Sequence, residues 1–198
     1  YQSALTFNKK DCIAALSKYG IPHAQSVYIQ KGTNYAIKEI IETVGLPCFV
    51  KPNRSGSSLG ISKVSVAEDF EAALAKAFAE DQEVLIESFL DGIEVSVGVL
   101  NYQGEIKVVG ITEIVSENEF FDYEAKYEGK SQEITPARIS DKVTKRVEEV
   151  AKHAYTSLNM TGFSRSEYII VNDEPYFIEM NTLPGFSPAS IFPQQAAY

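Results

Sequence analysis

The chain has 198 residues, 44% of them hydrophobic and 23% charged, the balance of an ordinary globular protein with one domain or two joined subdomains. Its net charge is −9 and it holds no long basic run, which excludes the Lys/Arg patch that a nucleic-acid surface needs. No apolar stretch approaches the roughly 20 residues that span a bilayer, and the N-terminus lacks a signal-peptide layout.

Asn8 reads as the N-cap of a helix over Lys9–Tyr19, with Cys12, Ile13, Leu16 and Tyr19 on its apolar side. Gly20 and Pro22 end it. SVYI is a short strand, and Tyr35–Val44 is a second amphipathic helix closed by Gly45. GLPCFVKP is a strand ending at Lys51-Pro52, followed by NRSGSSLG and the strand ISKVSV. A Gly/Ser loop between strands can bring backbone N–H groups close to a phosphate. Ser57 and Ser58 add hydroxyls there, and Lys51 and Arg54 add positive charge. A mobile linker has the same composition, and the missing GK[ST] ending excludes a Walker A loop.

Ala67–Phe78 is a helix, VLIESFL an apolar strand and Asp91-Gly92 a turn. EVSVGVLN alternates as a half-buried strand, and EIKVVGITEI continues as another. Glu87 and Glu94 flank the turn, either as solvated strand-end charges or beside a linker whose backbone hydrogen-bonds a planar base. Ser116–Glu133 is polar, aromatic-rich and non-periodic, and reads as a lid with Lys126 and Tyr127 reaching a ligand. Ser140 caps a helix over Asp141–Leu158.

SRSEYIIV and PYFIEM then flank the turn Asn172-Asp173-Glu174. With Val171 opposite Pro175, Glu167 faces Glu179 and Arg165 faces Asn181, all four on one face. Opposed carboxylates repel unless a cation sits between them, and the oxygen donors suit Mg²⁺. Arg165 can fork onto a phosphate or oxyanion. The same residues would also serve as charges on a solvated hairpin edge. In NTLPGFSPAS, Pro184-Gly185 forces a turn whose backbone N–H faces the reacting centre. Cys12 and Cys48 read as buried free thiols of a reducing compartment.

FVKPNRSGSSLGISKV, VLIESFLDGIEVSVGVL, FFDYEAKYEG, GFSRSEYII and IEMNTLPGFSPASI resemble, in this order and spacing, the D-alanine–D-alanine ligases of the ATP-grasp superfamily. The resemblance implies an α+β fold, with ATP between two lobes of mainly antiparallel sheet and helices. These would be a central lobe over 1–94 and a C-terminal lobe over 95–198. It implies ATP-binding lysines at Lys9 and Lys51 and an adenine hinge at Glu87, Ser88, Phe89 and Leu90. It implies a ribose carboxylate at Glu94 and a phosphate loop over Ser55–Gly60 that includes Ser57 and Ser58. Lys126 would approach the terminal phosphate, and Ser57 and Tyr127 would fix the lid. Glu167, Glu179 and Asn181 would hold two Mg²⁺ (or Mn²⁺), Arg165 and the Gly185 N–H would stabilise an oxyanion, and Ser190 would bind the second alanine's carboxylate.

Three residues depart from the family pattern: Glu167 where Asp is usual, Ser166 where an apolar residue is usual, and Ser55 where Glu is frequent. Family members also carry an N-terminal domain of about a hundred residues, so a truncated chain is expected here. The implied reaction joins two D-alanines through an acyl phosphate in the bacterial cytoplasm, for peptidoglycan. The small-molecule partners would be ATP and D-alanine, with no nucleic acid or membrane, and the full-length protein would be a possible homodimer. The alternatives are a ligase with D-lactate or D-serine as second substrate, or an inactive nucleotide-binding module.

Overall fold

The computed structural model describes residues 1–116 and 131–198. Two antiparallel sheets organise the chain. The first has strands β1 (Ser26–Gln30), β2 (Cys48–Pro52), β3 (Ser62–Val64) and β4 (Glu83–Ser88), in the order β1-β4-β2-β3. Helices α3 (Ile37–Val44) and α4 (Phe70–Glu80) cover one face of it. Their apolar sides meet Cys48, Val50, Val84 and Ile86, the alternate positions of β2 and β4. Phe49, Lys51 and Glu87 therefore point to the other face. Gly45 ends α3 at φ 76°, a backbone conformation that glycine adopts without strain.

The second sheet has strands β5 (Ile93–Tyr102), β6 (Glu105–Ser116), β7 (Ser131–Ile134), β8 (Phe163–Val171) and β9 (Glu174–Asn181), in the order β7-β6-β5-β8-β9. Helix α5 (Asp141–Ser157) packs on one face, burying Val143, Val147, Val150, Ala151 and Ala154 against Val95, Val97 and Val99. Ser140 caps it, accepting from the Val143 N–H at 3.3 Å. Two helices precede the first sheet: α1 (Gln2–Phe7) and α2 (Lys9–Ser17), the latter capped by Asn8. Cys12, Leu16 and Ile21 join the core of the second sheet, not the first. The boundary expected at residue 94 falls two residues inside β5, while the chain passes from one sheet to the other at 89–92 and α2 packs in the second core.

Several local expectations are corrected. Strand β5 is buried on both faces from Val95 to Val99, because helix α6 (Ile191–Ala197) covers the side away from α5. The alternation in EVSVGVLN therefore marks two different environments, neither of them water. Elements α1, β7 and α6 were not expected from pattern. The turn of the last hairpin is only Asn172-Asp173, both at positive φ (51° and 69°), so Glu174 belongs to β9. Val171 pairs with Glu174 and Ile170 with Pro175, one residue off the expected pairing. A bulge between Glu167 and Tyr168 on one strand and Ile178 on the other restores the phase.

Candidate nucleotide and metal site

A cleft of about 370 Å³ lies between the sheets. It gathers Lys9, Lys51, Ser57, Ser58, Glu87, Ser88, Phe89, Leu90, Glu94, Glu167 and Glu179. A second cleft of about 470 Å³ adjoins it and is lined by Lys9, Ser57, Arg165, Glu179, Asn181, Gly185 and Ser190, among others. Lys9, Ser57 and Glu179 belong to both walls. Lys126 and Tyr127 lie outside the described residues.

The Gly/Ser loop leaves β2 after Pro52, the residue next to Lys51. Ser57 and Ser58 sit at φ 51° and 58°, a left-handed conformation that L side chains rarely adopt and that turns successive N–H groups to one side. Gly60, at φ 75°, closes the loop where a Cβ would come 2.7 Å from Pro52 Cγ and 2.8 Å from Glu80 Cγ. Lys9 is buried and its Nζ donates to the Ser55 carbonyl at 2.9 Å. Lys51 forms a buried ion pair with Glu87, which sits diagonally across the β2–β4 ladder. A buried pair of this kind contributes little to stability but holds the ammonium at a fixed place.

Glu87 and Ser88 end β4, and residues 89–92 cross from the first sheet to β5 of the second. Glu87 is buried and paired with Lys51, so it is not a solvated strand-end charge, and of VLIESFL only Phe89 and Leu90 lie beyond β4. The Ser88 N–H donates to the Gln25 carbonyl at 2.9 Å and the Phe89 N–H to the Pro47 carbonyl at 3.3 Å. Phe89 packs against Phe49 with ring centroids 6.1 Å apart. At Gly92 a Cβ would overlap the Ile170 carbonyl, so only glycine lets the crossing press this closely on β8.

On the second sheet, Glu167 pairs directly with Glu179, and Arg165 with Asn181. Arg165 Nη2 donates to Glu167 Oε1 at 2.9 Å, placing one cation against the opposed carboxylates. Asn181 Oδ1 accepts from the Leu183 N–H at 2.9 Å, which starts the 182–190 loop in a fixed direction. Within that loop Ser190 Oγ accepts from the Ser187 N–H at 3.2 Å. A Cβ on Gly185 would come 2.7 Å from Ser190 Oγ. Among the described residues no three His, Cys, Asp or Glu side chains form a metal cluster. Two carboxylates and an amide oxygen nevertheless give a hard oxygen donor set that fits Mg²⁺ or Mn²⁺.

A cleft residue and a buried residue on the sheet escaped sequence reasoning. Glu133 on β7 lines the second cleft. Its carboxyl is raised by burial, against the pull of Arg165. No periodic signal marks it, because β7 has only four residues. Gln195, 1% exposed, lies flat on the sheet above Gly98 and Gly110 and donates to the Ser96 carbonyl at 2.8 Å and Thr112 Oγ1 at 3.0 Å. Gly98 is the residue opposite Arg165, so Gln195 lies on the face of the sheet that carries Arg165.

Residues 15–198 match the family model described as D-ala D-ala ligase C-terminus. A D-alanine–D-alanine ligase of Flavobacterium johnsoniae is 64% identical over 99% of this chain and 61% of its own length. That of Flavobacterium psychrophilum is 62% identical over 100% of this chain and 60% of its own length. The chain thus spans about three-fifths of the curated relatives it matches. Among solved structures, the VanG D-Ala:D-Ser ligase from Enterococcus faecalis superposes with a TM-score of 0.88 at 36% identity, over 99% of this chain and 58% of that one. A D-alanine–D-alanine ligase from Bacillus anthracis gives 0.86 at 28% identity, over 99% and 63%. With two antiparallel sheets, a cleft between them and this match along nearly its whole length, the chain belongs to the D-Ala–D-Ala ligase C-terminus family.

Proposed function

We propose that this chain is the nucleotide- and metal-binding part of an ATP-dependent ligase that joins two D-alanines for peptidoglycan synthesis in the bacterial cytoplasm. One observation carries the reading. A single cleft collects two lysines, a left-handed Gly/Ser turn, the lobe crossing and two carboxylates from five separate stretches of sequence.

In this reading the lobes over 1–94 and 95–198 hold ATP between them, with α2 anchored in the second. Lys9, Lys51 and the N–H groups around Ser57 and Ser58 bind the phosphates. Residues 87–90, at the end of β4 and the start of the crossing, receive the base and Glu94 the ribose. Glu167, Glu179 and Asn181 would hold two Mg²⁺ or Mn²⁺, which when bound neutralise charge on the phosphates. The carboxylate of one D-alanine takes the γ-phosphoryl group, ADP leaves, and the amine of the second displaces phosphate. Arg165 and the Gly185 N–H bind the oxyanion of that step, while Ser190 takes the acceptor's carboxylate. Ser57, on the wall of both clefts, connects nucleotide binding to closure, with Lys126 and Tyr127 expected on the lid. A homodimer of the full-length protein completes the reading, and sedimentation velocity tests it.

Calorimetric titration with ATP, with and without Mg²⁺, tests the site. Binding should depend on Mg²⁺, and Glu179→Gln should abolish that dependence; unchanged affinity in the variant would sink the metal site. D-alanine-dependent phosphate release by the full-length protein tests the reaction. A D-Ala:D-Ser activity is the second reading, favoured by the 36% identity to VanG, and a faster rate with D-serine as acceptor would establish it. ATP binding without any amino-acid-dependent phosphate release would leave a nucleotide-binding module.

A further inference from the structure

Asn53 stands two residues beyond Lys51 and two before Ser55, at the root of the Gly/Ser loop. Its side chain is 0% exposed. Its Oδ1 accepts from the Lys10 N–H at 2.8 Å. Its Nδ2 donates to Asn8 Oδ1 at 2.8 Å and to Glu83 Oε2 at 3.1 Å. The main chain repeats the pattern: the Lys9 N–H donates to the Asn53 carbonyl at 3.3 Å, and the Asn53 N–H donates to the Glu83 carbonyl at 2.9 Å. Asn8 Oδ1 also accepts from the Asp11 N–H at 3.1 Å, so the N-cap of α2 and the buried amide share one atom.

These partners come from both lobes. Asn8, Lys9 and Lys10 open α2, whose apolar side lies in the core of the second sheet. Asn53 and Glu83 belong to the first sheet's β2 end and β4. The amide is thus a tie between lobes, separate from the covalent crossing at 89–92. A fully satisfied buried network is rigid, because each lost partner leaves a desolvated polar group behind.

We infer that Asn53 is a positioning residue for Lys9. It clamps the first turn of α2 to the root of the Gly/Ser loop, so that Lys9, bonded to the Ser55 carbonyl, and Lys51 face the same phosphates. This rests on the nucleotide reading of the cleft. Only an amide meets the geometry: it accepts from Lys10 while donating to Asn8 and Glu83. Aspartate would set a carboxylate against Glu83, and leucine would leave the Lys10 N–H and Asn8 Oδ1 without this partner.

The test is a double-mutant cycle on this chain, read by MgATP calorimetry with thermal melts alongside. Lys9→Met and Asn53→Ala should each weaken MgATP binding roughly tenfold, and the double variant should bind no more weakly than Lys9→Met alone. Asn8→Ser keeps a capping oxygen while removing the side-chain link from Asn53 Nδ2 to Asn8. It should show the same coupling to Lys9→Met with a melting temperature close to wild type, and it carries the test if Asn53→Ala does not fold. Additive losses in the double variants, or unchanged affinity in Asn8→Ser, would overturn the inference while leaving the nucleotide site standing. No effect of Lys9→Met, or no MgATP binding by the wild-type chain, would overturn the nucleotide reading of Lys9 and the inference together.

Discussion

Substitution Gly98→Ala probes the packing of α6 on the second sheet. A Cβ there would overlap Gln195 Oε1 and come 3.1 Å from Phe192 Cδ2, under a helix that lies directly on the sheet. Overpacking a buried position costs about 1–3 kcal/mol, and removing a glycine from a strand returns about 0.5–1 kcal/mol. At the middle of these ranges the net loss is about 1 kcal/mol, which for a chain of this size lowers Tm by roughly 2–4 °C. Gln195→Ala alone should also destabilise, by about 1–3 kcal/mol, because the Ser96 carbonyl and Thr112 Oγ1 lose a buried donor. The informative variant is the double one. With the Gln195 amide gone, the methyl introduced by Gly98→Ala occupies space the amide had filled, so the double variant should melt no lower than Gln195→Ala. Thermal unfolding followed by circular dichroism reads all four proteins. Additive losses, or a Gly98→Ala protein as stable as wild type, would refute the claim that glycine is needed there to let α6 reach the sheet.

Glu113 accepts from the Arg138 guanidinium at 2.7 and 2.8 Å and from its N–H at 3.1 Å. The Arg138 side chain, opposed by burial, holds its carboxyl below the usual carboxylate range. A lowered folded-state pKa gives stability that is present above the unfolded value and lost as pH falls through the folded one. Wild type should therefore outmelt Glu113→Gln at neutral pH, and the gap should close in acid; a gap independent of pH would refute this. Burial pushes the Cys12 thiol up to about 12 and Cys48 to about 11. A disulfide reagent near pH 8 should thus label neither thiol in the native protein and both in denaturant, and native labelling at Cys12 would contradict the packing of α2. Deleting Ile178 should keep Glu179 opposite Glu167 and retain Mg²⁺ dependence, while weakening nucleotide binding through the lost apolar wall; loss of the metal dependence would show that the bulge itself aims Glu179.

The hairpin shows how far pattern alone reaches. The pairings of Glu167 with Glu179 and Arg165 with Asn181 were legible, yet by way of two offsetting local features. The turn is one residue shorter than its Asn-Asp-Glu signal suggests, and the bulge at Ile178 adds that residue back. Long amphipathic segments such as α5 were readable because a 3.6-residue stripe of Val and Ala has one physical outcome. Elements α1, β7 and α6, of six, four and seven residues, carry too few periods to stand out. The alternation in β5 was visible, but not that α6 covers its second face, since that contact joins residues nearly a hundred positions apart. Asn53 was equally hidden, because an asparagine beside Arg, Ser and Gly looks like any turn residue until its partners surround it.

The way the lobes are joined bears on how the chain reaches its native state. The first sheet begins and ends as neighbours: Ser26 pairs with Glu87, and the Ser88 N–H and Oγ both donate to the Gln25 carbonyl. On either side of it the chain belongs to the other core, through Leu16 and Ile21 before and Val95 after. The four-stranded lobe is therefore an insertion whose two ends meet. Once folded, it brings α2 and β5 together and replaces a long floppy loop by a closed clasp, removing most of the closure entropy from the second core. A short linker joining Gln25 to Ser88 would span the two ends and leave α2 connected to its sheet.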